Sequence, residues 1–594
     1  MKTEPRKEYE CRIEQRRRAA ANRDLWHHRI GNARLALFIA AAVMAILAYG
    51  YGRISGWWLL LPLILFLGLA IWHGRVLDAL QRLNRAIRFY ELGFARLDER
   101  WTGTGEPGTR FRDSSHPYCE DLDLFGTGSL FELLCSARTH AGERMLASWL
   151  KSPAGPDEIL LRQQSIAELR SNLDLREELA ILGGDVRAGV EPDPLIAWGE
   201  EPDRFQSYWI SAAAAALALL AVAGIVMWAA AGYRELFFAA VFGEVLFAFS
   251  LRLKLRHTVS TAESIGRNLS LLSMVLGRLE KEDFKTPHLR SLRTALESEG
   301  IPPSRLIKRL DNLIVLLESR RNPFFAPFAF ILMWEVQLAF LIERWRSRNG
   351  RHISAWLATV AELEALSSLA GYSFEHPADP FPEIVDRSPC FDGEELGHPL
   401  LPEDKCVRNT VTLDCEVRVL LVSGSNMSGK STLLRTVGIN TVLALAGAPV
   451  RARRLRISPL ALGASIRVVD SLQAGTSRFY AEIVRLRKLV ELADGDVPLL
   501  FLLDELLHGT NSHDRRIGAE AIVRGMVRRS AIGLLTTHDL ALAHMAEELA
   551  PHAVNVHFED HIEDGRMAFD YRLRPGVVRK SNALELMRSI GLEV

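Results

Sequence analysis

Cysteine is scarce: 6 of 594 residues, with no C-x-x-C pair. That excludes a disulfide scaffold and gives no support to a zinc ribbon or a thioredoxin-like motif. Cys11, Cys119, Cys135, Cys390, Cys406 and Cys415 are expected as reduced thiols in a cytosolic setting. Neither charge is in excess, since Lys+Arg and Asp+Glu each number 72. A surface coated in one sign for nucleic acid is therefore not expected, although a local basic groove stays open. There is no internal repeat, and no low-complexity tract beyond one Ala run. With 24% charged and 48% hydrophobic residues, global disorder is excluded. At about 150 residues per domain the length accommodates about three to five domains.

What is present is concentrated apolar sequence. Mean hydropathy is +0.06, high for so charged a chain. Leu35–Tyr51 and Trp57–Trp72 carry no charge and are separated only by a short Gly/Arg/Ser break. Tyr208–Gly232 is uncharged and Ala-rich; after Arg234 and Glu235, Leu236–Leu251 continues with one charge, Glu244. A bilayer-spanning helix needs about 20 apolar residues, with a range of roughly 17 to 25. Paired runs with short connections and aromatic ends (Tyr49, Tyr51, Trp57, Trp72, Trp209, Tyr233) predict two transmembrane hairpins over 34–72 and 208–251. A long charged lead-in, no clear cleavage site and an immediate second run argue against a signal peptide. Residues 1–34 hold ten Lys/Arg against five Asp/Glu, and Arg75, Arg82, Arg252, Lys254 and Arg256 follow the runs. The hairpin tips carry only Arg53 and Arg234. The positive-inside rule puts both termini and the long segments in the cytoplasm, in a multi-pass inner (cytoplasmic) membrane protein. Glu244 is costly in lipid and is expected to face a helix or water, in a structural hydrogen bond rather than ion transport.

Val417–Val422 reads as a buried strand and is followed by Gly424-Ser425-Asn426-Met427-Ser428-Gly429-Lys430-Ser431-Thr432, the G-x-x-x-x-G-K-S pattern between strand and helix. The glycines let backbone N–H groups turn toward phosphate oxygens, and the helix N-terminus adds its dipole. Lys430 is expected on the β/γ-phosphates and Ser431 on Mg²⁺. A second apolar strand from Pro498 ends in Asp504 and Glu505. Asp504 is expected in the Mg²⁺ shell and Glu505 on the attacking water. A third strand, Ala531–Leu535, ends in Thr536-Thr537-His538, and His538 is expected at the γ-phosphate or the lytic water.

These motifs resemble those of the MutS mismatch-repair ATPases, a branch of the ABC-type ATPases. The loop is similar to the family's G-P-N-M-G-G-K-S-T. Asp504-Glu505-Leu506-Leu507-His508-Gly509-Thr510 resembles D-E-I-G-R-G-T, and Thr536-Thr537-His538 resembles T-T-H. Asp470–Glu482 resembles the signature segment, which places Ser477 in the loop that completes the partner subunit's ATP site. Upstream, Leu124–Leu134, Thr139–Leu150 and Arg162-Gln163 resemble the start of the helical core; the resemblance covers 120–182, 252–378 and 390–594. It implies an all-α MutS-like core, a P-loop ATPase domain, ATP with Mg²⁺, a homodimer, and possible engagement of mismatched or structured DNA. In the adenine clamp the aromatic's position falls at Cys406, and the other half resembles His557. No mismatch-reading domain precedes the core, Phe89-Tyr90-Glu91 is read as a chance match to the base-wedging F-x-E, and the exporter signature L-S-G-G-Q is absent.

The organisation expected is a basic arm at 1–33, hairpin one at 34–72, the first part of the core at 73–207, hairpin two at 208–251, the core and lever at 252–378 and the α/β ATPase at 379–594. Two functions stay open: a membrane-anchored MutS-like ATPase engaging DNA, and an ATP-driven membrane switch or remodelling protein without DNA. Arg305, Lys308, Arg309, Arg320 and Arg321 suit phosphate contacts or a solvated helix face.

Overall fold

The computed structural model describes residues 4–187, 192–203, 205, 208–297, 300–386, 389–425, 427–467, 478–507, 511–538, 540–563 and 566–578. The helices run α1 Pro5–Ala45, α2 Leu60–Leu97, α3 Leu130–Leu134, α4 His140–Lys151, α5 Pro156–Ser171, α6 Leu173–Arg187, α7 Pro192–Glu200, α8 Tyr208–Ala231, α9 Glu235–Leu279, α10 Pro287–Leu296, α11 Pro303–Glu318, α12 Ala326–Ile331, α13 Trp334–Asn349 and α14 Ile353–Glu375. From there strands alternate with helices α15 Lys430–Ala446, α16 Arg478–Ala493, α17 Ser512–Arg528 and α18 Leu540–Glu548. The chain divides into two units. One holds 1–136, 147–181 and 368–594; the other holds 137–146 and 182–367.

In the first unit α1 and α2 pair as antiparallel helices around the Gly52–Gly56 break. Residues 5–33 are the first part of α1 itself. At about 1.5 Å per residue, a helix of 41 residues is roughly twice the length a bilayer core requires. Its N-terminal half is amphipathic enough to bury Tyr9 and Ile13 beside Phe89, Tyr90, Leu173 and Phe374. Gly93 makes that possible: a Cβ there would lie 2.5 Å from the Tyr9 ring. The Tyr9 hydroxyl donates to Glu375 Oε1 at 3.0 Å, and Arg96 donates to both Glu375 oxygens at 2.6 and 2.7 Å. Burial and the Glu375 charge raise the Tyr9 phenol above its ordinary pKa.

The C-terminal part of this unit is built on a six-stranded sheet in the order β10-β9-β4-β8-β7-β6, of β4 Val419–Ser423, β6 Ala461–Ser465, β7 Leu499–Asp504, β8 Ile532–Thr537, β9 Ala553–Glu563 and β10 Arg566–Pro575. All neighbours are parallel except β9 and β10. Parallel strands covered on both faces need near-continuous apolar runs, which is what VLLVS and LLFLLD provide. A four-stranded sheet, β1-β5-β2-β3, comprises β1 Glu383–Ile384, β2 Phe391–Leu396, β3 Asn409–Leu413 and β5 Arg454–Ile457. The expected α/β C-terminal region after a helical part is what the chain has.

In the second unit α8 and α9 form an antiparallel hairpin, and α9 continues to pack against α11 and α13. Gly224 allows the close approach of α8 and α9, since a Cβ there would sit 2.6 Å from the Phe237 Cα. Arg346, fully buried, is held by Glu343 at 2.6 Å and by the carbonyls of Trp198 and Pro202 at 3.0 and 2.8 Å. Among the described residues five helical stretches are long and apolar enough to cross a membrane. In the four belonging to the two hairpins only 6 to 22% of the most apolar window is buried, against 78% in Trp334–Glu375. The last, made of α13 and α14, is thereby core, while the hairpins present their apolar side chains outward.

Candidate functional site: a phosphate loop beside an acid pair

The loop between β4 and α15 depends on backbone geometry that only certain residues tolerate. Gly424 has φ 154° and Gly429 φ 101°, and Met427 also sits left-handed at φ 70°. The Lys430 ammonium donates to the Gly424 and Ser425 carbonyls at 2.9 and 2.8 Å. Burial pulls its pKa below the ordinary lysine value, while the charges of Glu505 and Asp504 pull the other way. The hydroxyls of Ser425 and Ser428 are buried without a hydrogen-bond partner. Orphaned donors inside a loop at a helix N-terminus fit an anionic group such as a triphosphate.

The strand ends bring the acids to this loop. β4, β8 and β7 are adjacent, so Ser423 pairs with Thr537 and Asp504 with Thr536. Ser431 Oγ donates to Asp504 Oδ2 at 2.5 Å, and the Thr536 hydroxyl donates to Asp504 Oδ1. The same Thr536 oxygen accepts from the Glu505 backbone N–H at 3.1 Å. His538 Nδ1 lies 3.5 Å from Glu505 Oε1. Glu505 and Leu507 both adopt left-handed backbone, at φ 47° and 56°, and the Leu507 N–H donates to Glu482 Oε1 at 2.6 Å. Glu482 thus pins a strained turn at the acid pair. A hydroxyl and a carboxylate in contact suit Mg²⁺, which takes one or two protein ligands and completes its shell with water and substrate phosphates. Among the described residues no group of three His, Cys, Asp or Glu side chains is placed to hold a metal ion by itself.

A cleft of about 810 Å³ opens beside the loop, within the size range of small-molecule sites. Met427, Gly429, Lys430, Ser431, Thr432 and Glu505 line it, as does Cys406. His557 does not. Its Nδ1 lies 3.1 Å from the Gly576 carbonyl oxygen, and it is the next residue, Phe558, that lines the cleft. Tyr571 lines it too, and sequence reasoning missed it. A register shift between Phe569 and Leu573 bulges β10, and Tyr571 sits there at φ 55°. Its ring comes so close to the loop that a Cβ on Gly429 would be 3.1 Å away. Asn409 fixes the bulge, donating to the Tyr571 carbonyl at 3.0 Å and accepting from the Leu573 N–H at 2.8 Å. His398, at the far wall, is kept neutral: burial first, then Arg435 and Arg451, lower its pKa to about 4. Asn426 and Ser477 lie outside the described residues.

The sequence of residues 420–593 matches the family described as MutS domain V. Over 203 residues the chain is 34% identical to the endonuclease MutS2 of Thermus thermophilus, covering 33% of this chain and 25% of that protein. It is 32% identical over 257 residues to the DNA mismatch repair protein MutS 2 of Halobacterium salinarum, 42% of this chain and 29% of the relative. It is 31% identical over 245 residues to the DNA mismatch repair protein msh3 of Aspergillus fumigatus, 39% and 22% respectively. The matched region spans between about a fifth and three-tenths of these relatives' lengths. Sheet order, phosphate loop and strand-end acids lie inside that region, so it is residues 420–593 of the chain that are similar to MutS domain V.

Proposed function

We propose that the chain is a membrane-anchored, MutS-like ATPase that hydrolyses ATP as a dimer and engages DNA through its helical part. The contact of Ser431, Asp504, Thr536 and Glu505 beside the phosphate loop carries the ATPase reading. Lys430 leaves the Gly424 and Ser425 carbonyls for the β/γ-phosphates, and loop N–H groups hold the same oxygens. Ser431 and Asp504 would hold Mg²⁺, which would supply positive charge against the charge developing on the phosphates. Glu505 accepts a hydrogen bond from the attacking water and aims it, and His538 beside it contacts the γ-phosphate or that water. Tyr571 and Phe558 offer apolar faces to the base, a part for which the sequence has Cys406 at the family's aromatic position and only His557 resembling the other half. Ser477 of a second copy closes over the γ-phosphate.

The membrane reading rests on two exposed apolar hairpins and on the charge asymmetry around them, which supports a multi-pass inner-membrane protein with the ATPase and both termini in the cytoplasm. A reading without DNA, as an ATP-driven membrane switch, draws on a different observation. Tyr9 of α1 and Arg96 of α2 both hold Glu375, the last residue of α14, eight residues before β1 of the ATPase part. The hairpin helices are thus tied to the entrance of the domain that would move.

Turnover and nucleotide binding test the ATPase reading together. Lys430→Ala should abolish productive binding. Glu505→Gln should bind ATP as before and lower turnover at least about 100-fold, the usual worth of a general base or its equivalent. Wild-type turnover in Glu505→Gln would remove Glu505 from the reaction.

A further inference from the structure

Between α11 and α13 lies an uncharged aromatic stretch, Asn322–Trp334, that is too short to span a bilayer. A stretch of this composition is normally core. Here Phe324 is 89% exposed, Phe328 62% and Phe330 52%, and Leu316 at the end of α11 is exposed beside them. α12, which carries Phe328 and Phe330, packs against α8 of the second hairpin. The exposed phenylalanines therefore continue the outward apolar surface of that hairpin. A patch of this kind rimmed by basic residues marks a membrane or partner surface.

The rim is basic. A cavity of about 740 Å³ between α9, the end of α11 and α12 is lined by Arg252, Arg256, Arg320 and Arg321, with Phe330 and Trp334 on its apolar side. Arg252 and Arg256 are the first arginines after the apolar part of α9, one helical turn apart and on one face. Two carboxylates share the cavity. Glu335 lies 3.8 Å from Arg320 and offsets one of the four cations. Glu244, 2% exposed and without a hydrogen-bond partner for either oxygen, is eight residues before Arg252. That is about 12 Å along α9, at the apolar end of the same cavity. Four arginines and Glu335 thus line the cavity at the aromatic level, and Glu244 lines its apolar end.

We infer that Asn322–Trp334 lies in the surface of the cytoplasmic leaflet, and that Arg252, Arg256, Arg320 and Arg321 hold the phosphate of an anionic phospholipid there. The inference rests on the reading of the hairpins as membrane-spanning. The guanidinium fork suits a phosphate diester, and the adjacent phenylalanines suit its acyl chains.

The test uses full-length protein in nanodiscs of phosphatidylcholine with a minor share of phosphatidylglycerol. Benzoylphenylalanine replaces Phe328, Phe238 of the hairpin, or Phe324, one at a time, and photo-crosslinked products are read by mass spectrometry. Position 238 should capture both lipids in their bulk ratio. Positions 328 and 324 should capture lipid with phosphatidylglycerol enriched about fivefold, and Arg320→Gln with Arg321→Gln should return the ratio to bulk. Lipid capture at 238 with only protein or solvent products at 324 and 328 would overturn the inference and leave the hairpins standing. No lipid at 238 would overturn the membrane reading and the inference with it. Capture at 328 in the bulk ratio, unchanged by the arginine substitutions, would overturn the phosphate site.

Discussion

Asp504 is held from two sides, and the second holder is the easier to overlook. Ser431 belongs to the loop motif, whereas Thr536 fixes the other Asp504 oxygen and the Glu505 backbone at once. Thr536→Val keeps the shape and removes the hydroxyl. It should lower kcat about 10- to 100-fold and raise the Mg²⁺ concentration for half-maximal turnover, as losses behind a metal ligand do. Tyr571→Ala should raise KM for ATP about tenfold with kcat little changed, because base stacking is the same in ground and transition states. His398 gives a pH signature. Its folded pKa of about 4 lies below the unfolded value near 6.5, so the unfolded chain binds the extra proton between them. Stability should therefore fall by up to about 3 kcal/mol as pH drops through that window, and His398→Gln should flatten the slope of Tm against pH. The loop residues and the Asp504–Glu505 pair are legible in sequence because strand, glycines and helix are contiguous. Tyr571 is not, because a bulge 142 residues after Gly429 aims it, and no local pattern encodes that contact.

The elements with a single strong period were equally readable: four apolar runs became four exposed apolar helices, and the apolar strands became buried parallel neighbours. What the sequence hid at this scale is how far α1 reaches. Its charged first half reads as a basic cytoplasmic arm, and no local pattern shows that Tyr9 meets Glu375 from 366 positions away. Glu375→Gln leaves the Arg96 guanidinium buried beside a neutral group and should cost about 3 to 5 kcal/mol. Tyr9→Phe removes one hydrogen bond and should cost about 1 kcal/mol, both read as Tm in the same detergent. Topology is tested at the hairpin tips. Gly232 has φ 78°, which disfavours a cysteine, so Ser55→Cys and Tyr233→Cys carry the probe. Both should react with an impermeant thiol reagent on intact cells, while exposed native Cys11 and Cys415 react only after lysis. Labelling of Cys415 from outside would remove the site from cytoplasmic ATP.

For the whole molecule the central claim is that ATP is turned over at a site shared between two copies. One copy supplies the phosphate loop, Asp504 and Glu505. On the proposed reading the second would supply the loop with Ser477, its hydroxyl and N–H groups available to charge that develops on the γ-phosphate. Closure then follows from ATP binding the closed dimer better than the open one. Mixing two defective variants measures this directly. Ser477→Arg should lower turnover with ATP affinity of separated subunits nearly unchanged, and Lys430→Ala should abolish it by losing the phosphates. In a mixed dimer one site carries both defects and the other carries neither. Heterodimers isolated with two different tags should therefore recover about half of the wild-type turnover if the two sites act independently. Heterodimers that form and are no more active than either parent would contradict a site shared in trans.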